Sequence, residues 1–325
     1  MKAWAYGPSR LVEPRVLRWI VAFVAGAGAM YLAAFAWTGW SAATLAFERI
    51  GGLSLLTGAC IASAGYLVRF ARWHYTLFSL GSPLRLAVNL QVYLAGLALT
   101  TTPGKAGETI RSVLLMPFGV PVTRTLGAFL ADRVSDVLGV CLLGALAGYA
   151  AHGSLNVVGI LGVLAFAVSL VLRVAVRWPA LWGRLNETLP AKLRDSGRLG
   201  GGAILQWARV WTLRNALCFA AIAALAYGLQ AGVFAWFCGL LAMPLTPAEA
   251  VELYANAMLL GAASMVPAGL GTMEAALVAQ LTARGASIVD AVSVAIATRL
   301  ATLWVGLIIG ISALLLVSKK GAAEQ

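Results

Sequence analysis

The sequence predicts an all-α polytopic membrane protein, with about six full spans and two re-entrant broken-helix hairpins in an inverted repeat. Three observations predict it: long uncharged apolar runs, a lopsided distribution of basic residues, and a Pro-Gly-Glu-Arg pattern that occurs twice.

The runs carry the fold class. Of 325 residues, 61% are apolar and 11% are charged, against roughly 25% charged in a soluble domain. No Asp, Glu, Lys or Arg occurs within 19–47, 50–68, 86–104, 137–172, 215–248, 253–273 or 300–318. A bilayer core about 30 Å thick needs about 20 apolar residues as helix. A soluble bundle would need a polar face on each helix, and these runs have none.

The charges carry the orientation. The net charge is +12. Such basicity can mark a nucleic-acid partner, but here Lys and Arg flank the apolar runs. They therefore point to an anionic membrane surface, and no nucleic acid is expected. With the N-terminus inside, nineteen of the 24 basic residues fall on the cytoplasmic side. Only Arg49 and Arg284 fall outside, while Lys105, Arg133 and Arg299 lie within membrane segments. Cytoplasmic loops collect Lys and Arg. The chain is thus placed in the plasma (inner) membrane with both termini cytoplasmic. Its first span lacks a small-residue cleavage site and is expected to remain as an anchor.

The elements follow in order. Residues 1–17 form a basic cytoplasmic arm. The first transmembrane half, 18–172, has spans near 18–39 and 50–68, a re-entrant hairpin at 86–123, and a span near 124–150. The loop 69–85, with Arg69, Arg72, Trp73, His74 and Tyr75, suits the headgroup layer. Residues 173–214 form a basic cytoplasmic or interfacial loop. Trp178, Trp182, Trp207 and Trp211 interleave with its charges, as in an amphipathic segment on the inner leaflet. The second half, 215–318, contains a re-entrant hairpin at 249–286, and 319–325 is a cytoplasmic tail. The hairpins follow from the topology. The uncharged loop near His152 lies outside, so 86–123 must begin and end inside, and 249–286 must begin and end outside. Counting each hairpin arm as a full span places Arg111 and Arg124 less favourably.

The repeated pattern lies in those hairpins. Pro103-Gly104-Lys105-Ala106-Gly107-Glu108 interrupts the first, and Pro267-Ala268-Gly269-Leu270-Gly271-Thr272-Met273-Glu274 interrupts the second. Proline removes a helical hydrogen bond and glycine adds backbone freedom. Pro103, Gly104, Gly107, Pro267, Gly269 and Gly271 are therefore the expected helix-breaking hinges. From Glu108 to Arg133 is 25 residues, and from Glu274 to Arg299 is also 25. Inverted broken-helix units are an arrangement of secondary transporters, with substrate held near the midplane.

Lys105, Glu108, Arg111, Asp132, Arg133, Asp136, Glu274 and Arg299 form the candidate binding and translocation set. A charge at a helix centre costs about 2.5–3.5 kcal/mol on insertion scales, so each should pair or face a wet cavity. Arg133 and Asp136 share a helix face, and Asp132 points elsewhere. Glu108 is placed to pair with Arg111. Arg133 and Arg299 are each placed to meet a hairpin glutamate or to form a cationic floor for a phosphate. Read as structure, the set would be ion pairs tying the hairpins to the bundle. Buried pairs stabilise poorly on balance, which favours function.

No catalytic constellation, nucleotide loop or metal cluster is present, so no cofactor and no enzymatic activity are expected. Cys60, Cys141, Cys218 and Cys238 stand singly in apolar runs, and His74 and His152 have no ligand partner nearby. The alternatives to a lipid-moving protein are a membrane-embedded lipid-modifying transferase, or its accessory subunit, and an ion-coupled small-solute transporter.

At these residues the chain resembles a known family. Arg69-x-x-Arg72-Trp73, Thr101-Thr102-Pro103-Gly104-Lys105-x-Gly107-Glu108-x-x-Arg111, Asp132-Arg133-x-x-Asp136, Val266-Pro267-x-Gly269-x-Gly271-x-x-Glu274 and Arg299 together look like the flippase-like transmembrane region of lysylphosphatidylglycerol synthases. The resemblance runs from about residue 15 to about 315. It reads as a stand-alone member without the aminoacyl-transferase domain. It implies a flippase or scramblase whose partners are membrane lipids, an anionic phospholipid or a polyprenyl-phosphate-linked lipid.

Overall fold

A computed structural model describes residue 44 and residues 48–100, 109–177 and 194–323. Every regular element among the described residues is helical, and the protein is an all-α polytopic membrane protein. The elements are α1 Gly52–Ser79, α2 Leu86–Leu97, α3 Ile110–Leu115, α4 Val122–His152, α5 Val157–Val176, α6 Arg194–Val210 and α7 Leu213–Leu240. They continue with α8 Pro247–Ala263, α9 Thr272–Ala283, α10 Ile288–Arg299 and α11 Val305–Ala323. A π turn, Leu300–Trp304, joins α10 to α11 into one rod.

Among the described residues, α1, α4, α5, α7 and the α10–α11 rod are long and apolar enough to cross a membrane. The expected span at 18–39 lies outside the described residues. The other helices are too short to cross alone: α2 and α9 have 12 residues and α8 has 17. At 1.5 Å per residue none of these reaches about 30 Å.

The central helix is α4, which touches α1, α5, α6, α7 and α8. Close approach at these crossings depends on small residues, as expected where lipid supplies no hydrophobic drive between helices. A Cβ on Gly139 would lie 2.7 Å from Ala224 N on α7, and one on Gly127 would lie 2.9 Å from the Ala203 carbonyl oxygen on α6. By contrast α5 leaves most of its apolar surface open, with only 11% of its spanning window buried, as suits a lipid-facing helix.

Among the described residues, two large clusters make up most of the apolar core, with a small third of Val140, Ala223, Tyr227 and Ala255. One large cluster gathers Phe70–Leu77 of α1, α2, the first half of α4, the start of α7 and Leu307–Leu314. The other gathers Leu55 and Ala59 of α1, the end of α7, and α8, α9 and α10. On three of the long helices the residues between the two large clusters include polar groups: Tyr66 and Arg69 on α1, Tyr227 and Gln230 on α7, and Thr302 in the π turn of the α10–α11 rod. The fold thus carries a polar belt between two apolar layers.

Two local expectations change. Helix α1 does not end at residue 68 but runs through Arg69, Arg72 and Trp73 to Ser79, so the segment expected as a headgroup-layer loop is largely helix. The end of α6 and the residue that follows it also pack inward. Trp207 and Trp211 are buried, and Trp211 Nε1 donates to Ser169 Oγ at 3.1 Å.

Candidate functional site

The belt is built around two aspartates one helical turn apart on α4. Asp132 does not point away from Asp136 as expected: residues four apart on a helix point the same way, and both aspartates face α1. Arg72 Nε donates to Asp132 Oδ1 at 3.0 Å, and its Nη2 reaches Asp136 Oδ1 at 2.8 Å. Arg69 Nη2 binds Asp136 Oδ2 at 3.0 Å. Arg133 Nη2, one turn before Asp136 on the same helix, meets that oxygen at 3.0 Å. Arg111 Nη1 lies 3.7 Å from Asp132 Oδ2, and its guanidinium stacks over Tyr93 and Trp73 at 4.2 and 5.0 Å.

Among the described residues, four guanidiniums thus converge on two carboxylates. Lys105 and Glu108 lie outside the described residues. Arg69 and Arg72 were not among the residues singled out as a site. Their signal was present: two arginines three apart, directly after an apolar run, match two aspartates four apart in another predominantly apolar segment.

The second half contributes one pair. Arg299 Nε donates to Glu274 Oε1 at 2.8 Å, its Nη2 donates to the Ala268 carbonyl at 2.7 Å, and its Nη1 lies 3.3 Å from Met273 Sδ. The guanidinium therefore grips the break between α8 and α9. That break contains a single 3₁₀ turn, Pro267–Gly269. Met265 and Ala268 adopt φ of 56° and 54°, and Gly269 and Gly271 adopt 64° and 79°. Left-handed backbone is unfavourable for residues with a Cβ and persists where surroundings enforce it. Arg299 holding the Ala268 carbonyl is one such constraint. Pro267, Gly269 and Gly271 thus lie in the break, while Pro103, Gly104 and Gly107 lie outside the described residues.

Between the two charge groups lies a cavity of about 320 Å³. Arg69, Arg133 and Asp136 face it from one side and Arg299 from the second half, with Tyr227 and Gly269 also on its wall. Tyr254 Oη donates to Gln230 Oε1 at 3.1 Å at its edge, and the Tyr66 hydroxyl donates to the Thr302 carbonyl in the π turn. The tyrosines and Gln230 were not anticipated, since they are uncharged and lie within apolar runs. Of the sequence-predicted set, Arg133, Asp136 and Arg299 line the cavity, Asp132 and Arg111 stand behind Asp136, and Glu274 backs Arg299. A cavity that combines guanidiniums, phenols and apolar wall suits an anionic head on an apolar body.

The histidines also have partners. His74 Nδ1 lies 2.8 Å from Asn89 Nδ2, and His152 Nε2 lies 3.0 Å from Glu252 Oε2.

No curated protein matches the chain. A family model, the lysylphosphatidylglycerol synthase TM region, matches residues 19–310, a stretch that contains the whole cavity. The chain belongs to the lysylphosphatidylglycerol synthase transmembrane-region family.

Proposed function

We propose that the protein is a lipid flippase or scramblase, a transporter and not an enzyme, that carries an anionic phospholipid or polyprenyl-phosphate-linked lipid between leaflets. One observation carries this reading: Arg69, Arg133 and Arg299 face a single cavity with only Asp136 as a lining carboxylate among the described residues. A lipid phosphate would be held by charge-assisted hydrogen bonds from these guanidiniums.

The reading extends to topology. Residues 86–123 and 249–286 act as re-entrant hairpins of opposite orientation, in a plasma membrane with both termini cytoplasmic. Arg133 is the twelfth residue of α4 and Arg299 the twelfth of α10. Each therefore lies roughly 16 Å along its helix, near the middle of a core about 30 Å thick. That equivalence supports a two-fold repeat with the substrate at its centre. Glu274 Oε2 is buried without a hydrogen-bond partner among the described residues. A carboxylate so held is suited to exchange partners as Arg299 engages a phosphate. Glu108 takes the equivalent role in the first half.

The test is reconstitution in liposomes with a leaflet-labelled anionic lipid. Translocation should fall strongly in Arg133→Ala and Glu108→Gln proteins. Unchanged rates in both would sink the proposed site.

A further inference from the structure

We propose that Glu252 is a positioning residue that latches α8 to the α4–α5 corner, and that protonation of His152 sets the strength of this latch. Glu252 sits in the second turn of α8 and is buried. A buried carboxylate demands hydrogen bonds or charge partners. Among the described residues it has two, both from outside its own helix. Asn156 Nδ2 donates to Glu252 Oε1 at 2.7 Å, and His152 Nε2 lies 3.0 Å from Oε2.

The site around this carboxylate is built. Asn156 is the N-cap of α5, where its Oδ1 accepts from Gly159 N at 2.9 Å. Its amide also donates to the Gly144 carbonyl of α4 at 2.9 Å, so one side chain ties three helices. A Cβ on Gly148 would collide with Asn156 Nδ2 and lie 2.8 Å from Glu252 Oε1. The carboxylate therefore fits only because residue 148 lacks a side chain. His152 is different: its side chain is 43% exposed. The sensor is open to the medium and the anchored group is not.

The direction follows from charge. Histidine gains its proton between about pH 5 and 8. Protonated, His152 faces Glu252 and, one turn earlier on α8, Glu249, with which it interacts electrostatically. Arg284, after α9, also acts on Glu249 and opposes part of this field. An imidazolium bound to Glu252 and attracted by Glu249 strengthens the hold on α8. A neutral imidazole keeps a single hydrogen bond, and only in the Nε2–H tautomer. Acid on the His152 face thus tightens the latch and alkali loosens it.

The consequence reaches the cavity. Met258, Leu259 and Gly261 of α8 line it, and α8 leads directly into the break that Arg299 grips. A tightened latch holds that arm in place and slows its movement. This last step rests on the translocation reading, whereas the latch itself rests on geometry.

The full-length protein in nanodiscs tests the latch by hydrogen–deuterium exchange over residues 247–263, corrected for intrinsic rates, between about pH 5.5 and 8. Protection in the wild type should rise severalfold toward acid. In His152→Gln, which keeps a hydrogen-bonding side chain, and in Glu252→Gln that rise should disappear. The same slope in all three proteins overturns the proposal. In liposomes, wild-type translocation should slow as the His152 face is acidified, and His152→Gln should flatten the profile. A pH-dependent exchange pattern with no lipid movement at any pH would keep the latch and overturn the flippase reading instead.

Discussion

Arg299 Nε donates to Glu274 Oε1 at 2.8 Å, joining the last membrane rod to the first turn of α9 across 25 residues of chain. Both side chains are mostly buried, with exposures of 6% and 16%. Removing one partner of such a pair strands the other charge, at about 3–5 kcal/mol, whereas replacing both by apolar residues is often neutral. Glu274→Ala should therefore lower the thermal unfolding midpoint sharply, and Glu274→Met combined with Arg299→Met should recover most of the loss. Glu274→Gln keeps an acceptor for Arg299 and should cost less stability while still impairing translocation. Equal destabilisation of the single and double variants would remove the pair as the cause.

A second prediction separates the two aspartates. Asp136 receives Arg69, Arg72 and Arg133, while Asp132 receives Arg72 and, at 3.7 Å, Arg111. Asp136→Asn should destabilise the protein by about 3–5 kcal/mol or more, and Asp132→Asn by less. Because these pairs are shielded from solvent, high salt should not narrow the difference. Thermal unfolding in detergent at low and high salt reads both effects. Arg72→Lys should also be poorly tolerated, since an ammonium cannot reproduce the planar fork that spans both carboxylates.

How much of this was legible in the sequence varies by residue. Helix α7 was legible because it is a long apolar run, and near-uniform apolarity needs no knowledge of partners; α4 was legible from the apolar stretches on either side of its Asp132–Asp136 charges. The Arg299–Glu274 pair was legible because the 25-residue spacing repeats. The extent of α1 was not. Arg69 and Arg72 ended an uncharged run, and a sequence shows the charge without its neutralisation. The neutralising carboxylates arrive from a helix 60 to 67 residues away. His152 and Glu252 are 100 residues apart, and their meeting is likewise a property of packing alone. The cavity tyrosines carry no local pattern at all.

A third prediction concerns glycine at helix contacts. A Cβ on Gly310 of α11 would run into the Ala98 backbone and lie 2.6 Å from the Leu97 carbonyl carbon, so α11 would have to part from the end of α2. Gly310→Ala should destabilise by about 1–3 kcal/mol, the range for forced overpacking. Gly228→Ala on α7 is the control. Its Cβ would meet only Leu143 Cδ1 at 3.7 Å, an ordinary contact. There the gain in helix propensity, about 0.5–1 kcal/mol, should leave the protein unchanged or slightly more stable. Unfolding midpoints of the two variants, measured side by side, check the contrast.

The entry to α8 supplies the last prediction. Thr246 and Glu249 form a capping box: Thr246 Oγ1 accepts from Glu249 N at 3.2 Å, and Glu249 Oε2 accepts from Thr246 N at 2.8 Å. The Thr246 backbone N–H first, and its hydroxyl second, hold the Glu249 carboxyl below its ordinary range. A lowered folded-state value means stability that is present above the ordinary carboxylate range and lost as pH falls through the lowered one. Thr246→Ala should therefore cost about 0.5–2 kcal/mol at neutral pH. The gap to wild type should shrink once acid protonates Glu249, because half of the box is then lost in both proteins. Midpoints recorded from neutral to strongly acidic pH would show this convergence below the range where histidine titrates. A constant gap down to full protonation would mean that the hydroxyl cap alone carries the effect and that Glu249 adds nothing to the start of the hairpin.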